Sequence, residues 1–366
     1  MAPPKKTKGV TTEHNLSYDE MIKALKAIKG SQSIIGTEEI FEQCSLNKIP
    51  TGIPTIDYIT GGGITEGRIT ILAGNPSSCK TTLTLQILAV LTKRIKARVE
   101  AGNSPTFVLY FDVEGGYDPV YATALGVIQD YIIVKRTKVI EDAFSEADQL
   151  VSLGWISALV IDSLDGMISK KVDDNAYENT MGGTSGALAA HLPNLYSKLL
   201  NHCVTTLIIK QARVKLDAYG AKGEIITFSG GKALRHFSDS IFIVKRLSNR
   251  DLDYCPIQIK AEKTRSPRMG LTLDMPLGIC GIDPLRDLVQ VAKLHDLIIV
   301  GGGGWMSYAH IREQGEKRFI EHLKQNPEDL ELLRSDVYDT IINSLNVTGG
   351  VSEAGEIQTV FEDDKE

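Results

Sequence analysis

Long apolar runs are missing from this chain: no stretch approaches the ~18–20 consecutive apolar residues of a membrane span, and nothing in it reads as a membrane protein. The opening MAPPKKTK likewise lacks the apolar block of a secretion signal. Cysteines are few, five in 366 residues (Cys44, Cys79, Cys203, Cys255 and Cys280), odd in number and never spaced as CxxC. That pattern excludes a disulfide framework and a structural zinc site, and predicts a reduced, cytoplasmic protein. An excess of positive charge is absent too, since 40 Lys and Arg stand against 46 Asp and Glu for a net −6. A protein that coats DNA by bulk charge is therefore excluded, and any nucleic-acid site must be a local patch.

What is present is ordinary globular composition, 42% hydrophobic and 23% charged, which rules out a wholly disordered or collagen-like chain. The length predicts a large core with smaller flanks. Residues 1–45 read as a polar tail followed by an amphipathic helix over Ser17–Lys29, with Met21, Ile22, Leu25 and Ile28 at helical spacing and Gly30 as the stop. A core is expected over residues 46–284. There, apolar runs at 69–73, 107–111, 158–161, 205–209 and 241–244 are separated by segments long enough for crossover helices. Strands buried on both faces and alternating with helices predict an α/β fold with a mainly parallel sheet covered on both sides. After residue 285 the pattern predicts a small, mostly helical C-terminal domain to 350, with helices at 285–298, 309–323 and 327–345. Residues 351–366 form an acidic tail.

Three motifs carry chemistry. Gly74-Asn75-Pro76-Ser77-Ser78-Cys79-Lys80-Thr81 follows a strand-like run and opens a helix through Thr82, the setting of a phosphate-binding P-loop. Its backbone N–H groups would face phosphate oxygens, Lys80 would supply a cation, and the Thr81 hydroxyl could coordinate Mg²⁺. Cys79 stands where GxxxxGK[ST] has its second glycine, and a Cβ there narrows the backbone's choices. Beside Lys80 at a helix start, its thiol is expected to ionise readily. The second motif, Leu159-Val160-Ile161-Asp162-Ser163, is an apolar strand ending in an acid suited to Mg²⁺. The third, FDVEGGYDPVYA at 111–122, offers Glu114 as a general base and Tyr121 as a face for a base.

With these motifs in this order, joined by IIKQARVK and SGGKALRHFSD downstream, the chain resembles the RecA family of homologous-recombination ATPases from about residue 48 to 308. The resemblance implies a RecA-type ATPase core, ATP bound between neighbouring subunits, and a helical filament on single-stranded DNA that pairs with homologous duplex DNA. It implies that Lys80 and Thr81 hold phosphate and Mg²⁺, that Asp162 is the Walker B acid on the metal side, and that Glu114 polarises water. Asp118 and Tyr121 would lie by the adenine. Gln211 would end its strand as a sensor of the γ-phosphate, and Lys263 with Arg265 would reach the neighbour's ATP. Ala261 stands where some relatives carry a further lysine. The N-terminal helix and Ile34-Ile35 would dock on the adjacent subunit.

The DNA contacts are weighed by charge. Between Lys210 and His236, six bases (Lys210, Arg213, Lys215, Lys222, Lys232, Arg235) face Asp217 and Glu224, a net +4 while the rest of the chain carries −10. Arg213, Lys215, Lys222, Phe228 and Lys232 are the candidate contacts, pairing phosphate charge with an aromatic face. A first DNA loop near 170–184 is poor in base. Two other functions fit the same core: a ring-forming helicase or translocase, and a mediator that binds ATP without hydrolysing it.

Overall fold

The computed structural model describes residues 47–170, 183–215, 225–228, 231–247, 254–278 and 280–346. The predicted helix at Ser17–Lys29, most of the first DNA loop, Lys222 and the acidic tail lie outside these residues. In chain order, β1 (Lys48–Ile49), α1 (Pro54–Thr60) and β2 (Ile64–Thr65) lead into β3 (Ile69–Gly74) and the long helix α2 (Lys80–Glu100). Next come β4 (Phe107–Asp112), α3 (Pro119–Ala124), β5 (Ile132–Lys135), α4 (Ile140–Ser152) and β6 (Ile156–Asp162). The chain continues through α5 (Gly183–Asn201), β7 (Thr205–Lys215), β8 (Ile225–Phe228), α6 (Gly231–Phe237) and β9 (Ser238–Arg246). It then forms β10 (Cys255–Lys263), β11 (Thr272–Gly278), β12 (Gly281–Ile282) and α7 (Pro284–Leu294). Last are β13 (Ile299–Val300), β14 (Trp305–Tyr308), β15 (Ile311–Gln314), α8 (Glu316–Gln325) and α9 (Pro327–Asn346).

The main sheet has the order β12-β11-β10-β9-β3-β7-β6-β4-β5, with β8 paired to β7. The six strands from β9 to β5 run parallel, and β10 to β12 extend the edge antiparallel. Alternation along the strands explains the layering. Leu72, Val108, Tyr110 and Val160 pack on one face with Leu83, Leu88 and Leu91 of α2. Ile71, Leu109, Phe111 and Ile161 pack on the other with Phe144 of α4 and Leu188, Leu192 and Leu195 of α5. A strand buried on both faces has no polar side, which is why ITILAG and FVLYFD read as near-continuous apolar runs.

A third cluster, built on Leu288, Phe319, Leu323, Leu333 and Val337, forms the C-terminal elements, with Tyr58 of α1 packed against it. Here the expected helix at 309–323 is corrected. Its first part is β15, paired with β14 from Trp305↔Gln314 to Tyr308↔Ile311 across the turn Ala309–His310. Ala309 takes a left-handed φ of 48°. A hairpin turn normally announces itself with Asn-Gly or Asp-Gly, and this one has neither. Trp305 is partly exposed, while Tyr308 is buried and donates to Asp336 Oδ2 at 2.7 Å.

Candidate nucleotide site

The site forms at the carboxyl ends of β3, β4 and β6, where a parallel sheet opens its crevice. Gly74 ends β3 because nothing larger fits: a Cβ there would stand 2.2 Å from Val244 O and 2.5 Å from Ser78 Oγ. The loop then turns through two left-handed residues, Ser77 (φ 59°) and Cys79 (φ 71°), before α2 begins. The first turn of α2 leaves amide groups without intrahelical acceptors. Lys80 is buried and donates Nζ back to Asn75 O at 2.7 Å, Gly74 O at 3.1 Å and Ser78 Oγ at 3.4 Å. Burial pulls its pKa down, opposed by the carboxylates of Asp162 and Glu114.

Thr81 Oγ1 donates to Asp162 Oδ2 at 3.0 Å, and Tyr110 OH donates to the same oxygen at 2.7 Å. Burial raises the Asp162 pKa, opposed by these two bonds and reinforced by the charges of Glu114 and Asp112. A hydroxyl and a carboxylate this close, beside an ammonium group, form a hard oxygen donor set that fits Mg²⁺. Glu114 shares a short hydrogen bond with Ser163 Oγ, directly after Asp162. Its loop is anchored by Asp112, whose Oδ1 accepts Gly116 N–H at 2.8 Å and Tyr117 N–H at 3.3 Å. Among the described residues, Asp112 Oδ2 meets only an ion pair, 3.6 Å from Arg136 Nε. Asp118 spends its carboxylate on capping α3, accepting from Val120 N at 2.8 Å and Tyr121 N at 3.2 Å. The Tyr121 hydroxyl lies 3.2 Å from Thr82 Oγ1, at the start of α2.

The structure thus brings together Lys80, Thr81, Asp162 and Glu114. Asp112 and Ser163, which lie in the same motifs, and Tyr110, which lies in the apolar run before the third, support them; none carried a signal of its own, because their partners depend on strand register (Asp112↔Asp162). The expectation for Cys79 is overturned. Its thiol packs half-buried against the α2 side of the sheet, and burial raises its pKa, with Cys255 adding and Arg246 and Lys80 opposing. Gln211 does not end its strand, since β7 continues to Lys215 in a hairpin with β8, from Ala212↔Phe228 to Lys215↔Ile225. That hairpin gathers positions 213, 215 and 228, and Lys232 is the second residue of α6. Two of the six bases counted there are committed elsewhere: Lys210 is buried against Asp165, and Arg235 pairs with Glu262 at 3.0 Å.

Lys263 and Arg265 stand apart from this site. Lys263 aligns with Ile241 on β9, which aligns with Ile71 on β3, so it lies back from the end of β3 that bears the loop. Lys263 Nζ donates to Arg235 O at 2.8 Å, His236 O at 3.4 Å and Ser238 O at 2.5 Å. Arg265 pairs closely with buried Asp239. Burial lowers the Lys263 pKa, assisted by Arg265.

Residues 17–265 match the family described as the RecA N-terminal domain. The chain is 30% identical over 311 residues to Protein RecA of Fusobacterium nucleatum, covering 82% of this chain and 79% of that one. It is 28% identical over 334 residues to Protein RecA of Thermus aquaticus, covering 88% and 94%. To Protein RecA of Aquifex pyrophilus it is 30% identical over 305 residues, covering 81% and 84%.

Proposed function

The chain belongs to the RecA family, and from that premise we propose that it is a DNA-dependent ATPase that forms filaments on single-stranded DNA and exchanges strands with homologous duplex DNA, in recombination and repair. The observation that carries this reading is the convergence of Lys80, Thr81, Asp162 and Glu114 on one crevice whose neighbouring strand, β7, runs on into a hairpin bearing Arg213 and Lys215.

In this reading, Lys80 exchanges the carbonyls of Gly74 and Asn75 for the outer phosphates of ATP, and the amides of the loop and α2 surround them. Thr81 and Asp162 hold Mg²⁺, which supplies charge neutralisation at the phosphate oxygens. Glu114 takes the proton of the attacking water, with Ser163 fixing its carboxylate. Tyr121 and Asp118 bound the adenine side. Lys263 and Arg265 reach a neighbouring subunit's nucleotide; the place of Lys263, back from the end of β3 that bears the loop, supports that assignment. Arg213, Lys215, Lys222, Phe228 and Lys232 contact DNA, mostly through its backbone, with sequence read by base pairing. No helix among the described residues is long and apolar enough to cross a membrane.

Electron microscopy of the full chain with single-stranded DNA and a slowly hydrolysed ATP analogue tests the proposal. Helical filaments are expected. Closed rings would support a translocase instead, and filaments without DNA-stimulated ATP turnover would support a mediator.

A further inference from the structure

One carboxylate outside the nucleotide residues stands where two parts of the molecule meet. Asp165 lies in the short turn Leu164–Gly166 directly after β6. Its Oδ2 accepts the Gln211 N–H at 2.6 Å, and its Oδ1 lies 3.0 Å from Lys210 Nζ. The Lys210 side chain is 3% exposed and that of Asp165 16%, so the ammonium is buried while the carboxylate keeps an edge in solvent.

Strand pairing explains why a side chain, and not the backbone of β6, meets this amide. β6 pairs with β7 only as far as Ile161↔Ile208, β3 pairs with it as far as Gly74↔Gln211, and the pairing of β7 with β8 begins at Ala212↔Phe228. Gln211 is therefore the last residue of the core sheet, and the next residue is the first of the hairpin. Beyond Ile208 the β6 ladder has ended, and Asp165 supplies the acceptor for this backbone amide.

The same turn is fixed at its other end to the nucleotide residues. Asp162 accepts from Thr81, and Ser163 bonds Glu114. Gly166 packs so closely that an added Cβ would lie 3.0 Å from Val113 Cγ1 and 3.5 Å from Glu114 Cγ. Residues 162–166 thus join Thr81 and Glu114 to the point where β7 leaves the sheet.

We propose that Asp165 is a positioning residue that couples the nucleotide site to the β7–β8 hairpin. A shift of Asp162 or Glu114 when nucleotide binds moves the turn, and the Asp165 carboxylate carries that shift to Gln211 and into the hairpin. Coupling of this kind is reciprocal, so a ligand on the hairpin changes nucleotide affinity by the same factor. The link to the hairpin stands on geometry alone; its extension to DNA rests on the function proposed above.

The test compares the full chain with two double variants. Asp165→Ala with Lys210→Met removes both charges of the pair together, so that neither loses its partner in that pair alone, and it breaks the bond to Gln211. Asp165→Asn with Lys210→Met also removes both charges but keeps an oxygen for the Gln211 amide. Amide hydrogen exchange over residues 212–228 is measured with and without a Mg²⁺–ATP analogue, beside ATP turnover with and without single-stranded DNA. Nucleotide should alter hairpin exchange roughly tenfold in the wild type, within the usual range of coupling. That response should largely vanish in the alanine variant at unchanged basal turnover, and return in the asparagine variant. Should the alanine variant melt below assay temperature, Asp165→Ser with Lys210→Gln replaces it, since serine is too short to reach Gln211. A hairpin that responds equally in wild type and alanine variant overturns the proposal, as does a wild-type hairpin that does not respond. If the wild-type hairpin responds, the response is lost in the alanine variant, and DNA leaves turnover unchanged, the coupling holds and the DNA reading falls.

Discussion

Glu114 is bonded by Ser163 and flanked by Gly166, so its carboxylate is held in place before any water arrives. Glu114→Gln keeps that shape and removes the basicity. Nucleotide and DNA binding should persist while turnover falls roughly 10²–10⁴-fold; an unchanged steady-state rate would remove Glu114 from the reaction. Cys79 leads to a different expectation from the one its neighbours in sequence suggest. It is half-buried with its pKa raised by burial, whereas Cys203 and Cys280 are exposed. Maleimide at neutral pH should therefore label Cys203 and Cys280 before Cys79, since the thiolate is the reactive form. Peptide mass spectrometry reads the order, and Cys79 labelled first would contradict the packing. The main site residues were legible in the sequence because a phosphate loop and an acid-ended strand are local patterns. The Cys79 environment was not legible, since Arg246 and Cys255 come from β9 and β10, far along the chain.

Among the elements, the buried strands announced themselves through their unbroken apolar runs, and the parallel sheet followed from the helices between them. The hairpin extension of β7 did not, because alternation ceases to be informative where a strand leaves the core. Nor did the joint between α1, α7 and α9, which is made by two fully buried acids. Asp57 accepts from Thr51 N and Oγ1, both at 2.7 Å, and from Tyr338 OH at 2.6 Å. Asp287 accepts from Thr55 N at 2.8 Å and Thr55 Oγ1 at 2.7 Å. Burial raises Asp57 to about 6 and Asp287 to about 7, from 3.8. A carboxyl raised in the fold keeps its proton longer there than in the unfolded chain. Its stabilising contribution is therefore complete below 3.8 and fades as pH climbs through 6 to 7. Each such proton contributes a slope of up to about 1.4 kcal/mol per pH unit. Asp287→Asn should remove its share, so that urea unfolding between about pH 4 and 7 falls less steeply in the variant. Equal slopes would show that Asp287 is ionised throughout.

At the scale of the whole molecule, the net charge of −6 concentrates any DNA attraction in the β7–β8 region, now without Lys210 and Arg235. Replacing Arg213 and Lys215 with Ala should weaken binding to single-stranded DNA and flatten its salt dependence, by about 0.7 in log–log slope for each phosphate no longer neutralised. A titration series in salt with an unchanged slope would leave those residues without a phosphate partner. The joint at α1 has a consequence in time. Asp57 is made early, but its Tyr338 partner lies 281 residues downstream, and Thr55 waits 232 residues for Asp287. At about 5–20 residues per second, a ribosome needs roughly 14–56 s to span the longer interval. Through that interval a nascent core can assemble its sheet while one helix holds an acid whose tyrosine partner has yet to be synthesised. Among the described elements, α1 is thus one of the first to leave the ribosome and one of the last to be finished.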